Sequence, residues 1–132
     1  MKFNGTHYRS IWFDEKVNHV KIIDQRWLPH QFKIVSLLSL KDFEVAIRDM
    51  WVRGAPLIGA TAAYGVAVQM QQDPSDNSLE KTWGKLHSTR PTAINLKWAL
   101  DRCKNTLLPV PECDRALIAM ELAHEICAED IE

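Results

Sequence analysis

The chain holds 132 residues, 46% hydrophobic and 25% charged, which suits one folded domain and argues against disorder. Sixteen basic side chains stand against seventeen acidic ones, a formal net charge of -1, so no basic excess supports general binding to nucleic acid or an anionic membrane. The longest weakly polar run, Ala55 to Val68, is shorter than the roughly 17–25 residues of a membrane helix.

The N-terminal residues Met1 to His7 have no apolar signal core, and a cytoplasmic location is expected. Cys103, Cys113 and Cys127 lack metal-ligand spacing and read as free thiols, packed as small hydrophobes. From Tyr8 to about Ser36 the residues favour strands. Ser10–Phe13 and Val17–Ile23 flank the charged turn Asp14-Glu15-Lys16, and Val20 and Ile22 alternate with His19 and Lys21 at the period of a half-buried strand. A third strand is expected at Gln31–Val35, with Phe32 and Ile34 on one face.

Helical periodicity takes over at Leu37. Ser39 and Asp42 have the spacing of a capping box ahead of a helix that turns Phe43, Ile47 and Met50 to one side. That helix is expected to stop at Arg53-Gly54-Ala55-Pro56, where Gly permits a sharp exit and Pro opens the next helix. From Pro56 to Gln72, Gly, Ala and Val occur on every side, the mark of a central helix closely packed all round. After the loop Asp73–Asn77, a helix from Ser78 carries Leu79, Trp83 and Leu86 inward and ends near His87–Thr89. Arg90-Pro91-Thr92 then repeats the earlier pattern of Arg before a Pro in the first helical turn, with Leu96, Leu100, Cys103 and Leu107 at helical spacing. A last helix places Leu117, Met120, His124, Cys127 and Ile131 on one stripe. Its acidic ending is unfavourable at the negative pole of a helix, and the chain reads as cut there.

The residues that point to chemistry are the two arginine-tipped helix starts. A helix start offers unpaired amides and about half a positive charge. The guanidinium fork suits phosphate oxygens, and Gly54 lets the backbone approach a ligand. Side by side, Arg53 and Arg90 would clamp one phosphate; alternatively, both pair with acids such as Asp49 or Asp101. Five histidines show no metal spacing, His124 reads as a core histidine, and a Cys127–His124 pair has no third group to orient it. The tryptophans read as packing anchors.

Ile47 to Gly59, with Ala62–Val66 after it, resembles the 5-methylthioribose-1-phosphate isomerases, as do Arg90 to Arg102 and Asp24–Pro29. The resemblance runs along essentially the whole chain and covers the first part of a family member. It implies an α+β, mainly α architecture: a small N-terminal antiparallel sheet, residues 1–36, then a helical bundle, 37–132, in one N-terminal domain. The family's Rossmann-like C-terminal domain lies outside this chain. It implies an aldose–ketose isomerase of methionine salvage that takes a sugar-phosphate substrate, works without metal or organic cofactor, and is a homodimer at full length. Arg53, Gly54, Ala55 and Arg90 match the family's substrate-binding positions, chiefly on the phosphate side. The family's catalytic Cys and Asp lie outside this chain, so no catalytic residue is assigned and the 132 residues alone are expected to be inactive. Ribose 1,5-bisphosphate isomerases and the nonenzymatic regulatory subunits of the translation initiation exchange factor are the alternatives that the resemblance leaves open.

Overall fold

The computed structural model describes residues 2–3, 6–7, 11–14, 19–23, 34–49, 51–52 and 55–131. A short antiparallel ladder, β1 (Lys2–Phe3) with β2 (Thr6–His7), precedes the predicted strands; two-residue strands give too little periodicity to read. The main sheet has the order β3 (Ile11–Asp14), β4 (His19–Ile23), β5 (Ile34–Leu37), antiparallel throughout. Its register places Ile11 against Ile22, Ile22 against Val35, and Val20 against Leu37. Those side chains form the inner face: Ile11, Val20, Ile22 and Leu37 are buried and Val35 packs on the core. The third strand turns the opposite face inward from the one its sequence suggests. Ile34 is 46% exposed and points away, because alternation places Val35 and Leu37, not Ile34, on the core side. Phe32 lies outside the described residues.

Five helices follow: α1 (Leu40–Arg48), α2 (Ala55–Gln72), α3 (Asp76–Thr89), α4 (Ile94–Leu107) and α5 (Glu112–Ile131). The Asp42 carboxylate accepts the N–H groups of Leu38 and Ser39 at 2.9 and 3.3 Å, fixing the start of α1 as its spacing suggests. α1 buries Phe43, Ala46 and Ile47 but ends at Arg48, with Asp49 as its C-cap, earlier than Arg53. α2 is the centre of the bundle. Ala60, Ala62, Ala63, Val66 and Ala67 are buried on its different sides, and α5, α4, α1 and α3 all pack on it.

α3 begins two residues before Ser78, with the Ser75 hydroxyl accepting the Ser78 N–H at 3.2 Å. α4 buries the expected Leu96, Leu100, Cys103 and Leu107. The apolar stripe of α5 keeps Met120 and Cys127 of the expectation, while the side chain of Ile131 lies outside the described ones. Ala119, Met120, Leu122, Ala123, Ile126 and Cys127 face inward, whereas Leu117 is 65% exposed and His124 is exposed. No described helix is long and apolar enough to cross a membrane.

Candidate functional site

The second arginine motif is built differently from a proline-led helix start. α3 ends with Arg90 as its C-cap, the Arg90 N–H reaching the His87 carbonyl at 3.3 Å. Pro91 and Thr92 form a turn closed by the Ala93 N–H on the Arg90 carbonyl at 3.0 Å, and α4 opens only at Ile94. Pro91 is therefore outside the helix, a correction of the expected start. The N-cap is Ala93, which makes no side-chain cap bond. An alanine N-cap is about 1 kcal/mol poorer than Ser, Thr, Asn or Asp because it leaves first-turn amides without an acceptor. The starts of α1 and α3 both have a side-chain oxygen at hand; that of α4 does not.

These first-turn residues, Ile94, Asn95 and Leu96, border an open recess of about 390 Å³ together with Arg90, Thr92 and Ala93. Its remaining wall is Ile58 from the first turn of α2. Gly59 shows how close the two helices come there. A Cβ at Gly59 would lie 3.2 Å from the Asn95 carbonyl oxygen and 3.5 Å from the Ala99 Cβ. The beginnings of α2 and α4 thus lie against each other. Ala55 opens α2, while Arg53 and Gly54 lie outside the described residues.

The acids considered as partners for the arginines are engaged elsewhere. Asp49 pairs with Arg48 at 3.5 Å. Asp101 accepts Lys97 Nζ and Trp83 Nε1, each at 2.8 Å. The hydrogen bond from Lys97, and after it that from Trp83, holds the Asp101 carboxyl below its ordinary range despite partial burial. No described residue forms an ion pair or side-chain hydrogen bond with the half-buried Arg90 guanidinium.

Other polar residues have structural assignments. Tyr64, fully buried on α2, shares a 2.7 Å hydrogen bond with His124 Nδ1, and Phe13 meets the same imidazole edge to face. His124 is thus not a core residue but a rim residue joining α5 to α2 and the sheet. Tyr64 is enclosed by the bundle. Cys103 is an inert thiol, its pKa pushed up to about 12 by burial. Cys127 is also buried, but Cys113 is exposed, unlike the expectation for a free thiol. Arg115, which sequence reasoning passed over, is buried on α5 and donates to the carbonyls of Leu107, Leu108, Val110 and Pro74 at 2.8–3.1 Å while pairing with Asp76 at 2.7 Å. It closes the C-terminal end of α4 and ties it to the α2–α3 loop.

No family model matches the chain. Among individual proteins, it is 61% identical over all 132 residues to methylthioribose-1-phosphate isomerase of Cereibacter sphaeroides, a match covering 36% of that protein. The Escherichia coli protein of the same name is 50% identical over 131 residues, 99% of this chain and 35% of the relative. Of solved structures, 5-methylthioribose 1-phosphate isomerase from Pyrococcus horikoshii superposes on 92% of the chain and 36% of its own, with a TM-score of 0.82 and 34% identity. The delta subunit of translation initiation factor eIF-2B from A. fulgidus superposes on 95% of the chain and 38% of its own, with a TM-score of 0.85 and 30% identity. The chain spans about a third of the length of these relatives. In sequence along its whole length, and in fold, it corresponds to the N-terminal segment of the methylthioribose-1-phosphate isomerases, an architecture also seen in the eIF-2B delta subunit.

Proposed function

We propose that this chain is the substrate-binding N-terminal part of an aldose–ketose isomerase that converts 5-methylthioribose 1-phosphate to 5-methylthioribulose 1-phosphate, and that its task is to grip the phosphate. The observation that carries this reading is an Arg90 guanidinium with no protein partner among the described residues, beside the uncapped start of α4. A dianion there would receive the guanidinium fork and the amides of the first turn, the two donors that suit phosphate. In this reading Arg53, Gly54 and Ala55 complete the grip from the start of α2.

Proton transfer between adjacent sugar carbons requires an acid and a base within about 2.6–3.2 Å of the protons they move, directly or through one water. The described lining of the recess includes a guanidinium, a hydroxyl and an amide, and among the described residues it has no carboxylate, imidazole or thiol. On this reading the 132 residues bind the sugar phosphate without turning it over.

The test is calorimetric titration of 5-methylthioribose 1-phosphate into the chain and its Arg90→Ala variant. Loss of one charge-assisted contact, about 1.5–3 kcal/mol, corresponds to a ten- to hundredfold weaker affinity. Equal affinity of the two would refute the assignment. The TM-score of 0.85 with the eIF-2B delta subunit favours a second reading, a nonenzymatic regulatory module. That reading requires no measurable affinity for this sugar phosphate in the same titration.

A further inference from the structure

At the other end of α2 lies a second recess, of about 370 Å³, between the start of α1, the last turns of α2 and the exposed side of α3. Its cationic lining is Lys41, Lys81 and Lys85. Each of the other lysines with a described side chain is in an ion pair: Lys21 with Asp14, Lys97 with Asp101, and Lys104 with Glu80. The three without an ion pair among the described residues are those around this recess. Lys81 and Lys85 are one helical turn apart, so their ammonium groups share a face and repel each other when nothing lies between them.

The floor is polar and buried. Ser78, 6% exposed, accepts a hydrogen bond from Gln69 Nε2 at 3.2 Å, while its own O–H has no acceptor among the described residues. Thr82, fully buried beside it, is satisfied by the Ser78 carbonyl at 2.7 Å. One carboxylate reaches the rim, that of Asp73, which accepts the Ser75 N–H at 3.1 Å. Three ammonium groups against one carboxylate leave a local positive excess in a chain whose formal net charge is -1.

We propose that this recess is a second anion site, taking the phosphate or pyrophosphate group of a small phosphorylated molecule between Lys41, Lys81 and Lys85, with the Ser78 hydroxyl donating from the floor. Lysine serves such a group as a mobile point charge rather than a planar fork, which fits a site assembled from two helices without an arginine. Ile58 and Gln69 border different recesses and lie roughly 16 Å apart along α2 at its rise of 1.5 Å per residue, too far for one sugar phosphate to occupy both. The inference therefore stands apart from the reading of Arg90.

The experiment is titration of inorganic pyrophosphate, and separately of inorganic phosphate, into the 132-residue chain at constant ionic strength held with chloride. The Lys81→Gln/Lys85→Gln and Arg90→Ala variants are titrated in parallel. All three lysines are exposed, and circular dichroism verifies that the variants fold. The expected result is saturable binding, with pyrophosphate preferred, of which one component weakens at least tenfold in the double lysine variant and stays within twofold in Arg90→Ala, a component lost in Arg90→Ala belonging instead to the recess beside α4. Absence of saturable binding, equal binding by the double lysine variant, or loss confined to Arg90→Ala would each overturn the proposal.

Discussion

Arg115 and Arg90 are the same residue type in opposite conditions. Arg115 is enclosed and meets four carbonyl oxygens and a carboxylate, whereas Arg90 borders a recess with no described partner. Arg115→Ala leaves several carbonyls without donors, each costing about 1–3 kcal/mol, so chemical denaturation should show a loss of at least about 3 kcal/mol. The stability of Arg90→Ala should stay within about 0.5 kcal/mol of the parent, as for a surface substitution. Cys103 makes a prediction in pH. Its thiol is held neutral in the fold up to about 12 but ionises above its ordinary value of 9.0 once exposed. Above pH 9 the unfolded chain binds fewer protons than the folded one, so this group lowers stability as pH rises from about 9 towards 12 and contributes no slope below that window. A Cys103→Ala variant should lack this slope in urea melts across that range. Cys113 should react with a thiol reagent in the native state while Cys103 stays protected.

At the scale of elements, α2 depends on the absence of side chains at chosen points. A Cβ at Gly65 would lie 3.1–3.3 Å from three atoms of the buried Phe43 side chain on α1, so Gly65→Ala sets overpacking against better helix propensity. Overpacking costs about 1–3 kcal/mol and propensity returns up to about 1, so thermal melts should show a net loss. Gly84 on α3 has nothing within 4 Å of the same added atom. Gly84→Ala should therefore stabilise the protein by about 0.5–1 kcal/mol, and a lower melting temperature for it would contradict this account. The helix positions of α2 were legible from its small residues on every side. The start of α4 was not: a Pro near an arginine reads locally as a first helical turn, but the turn closed by Ala93 on Arg90 displaces the helix to Ile94.

For the molecule as a whole, α2 is the element against which the other helices are assembled, and its middle is enclosed almost completely. Amide hydrogen exchange should consequently be slowest between about Ala60 and Val68, since opening those bonds requires the bundle to separate. Faster exchange there than in α3 would show that the bundle opens around a different centre. The two recesses lie towards opposite ends of this helix, bordered by Ile58 and by Gln69. One rigid element thereby keeps two surfaces of differing polarity apart.

The sequence by itself determined the succession of a small sheet and a helical bundle, the central place of α2, most of the buried faces, and Arg90 as a residue to examine. Hydrophobic period is a local property, and each element carries it in its own residues. Which side of β5 faces inward, the exposure of Leu117 and His124, and the carbonyl cluster around Arg115 were decided only by tertiary structure. So were the lysines around the second recess, which form no ion pair among the described residues. These depend on distances between elements remote in sequence, and a charge becomes a partner or a vacant donor only once the chain has brought its neighbours near or kept them away.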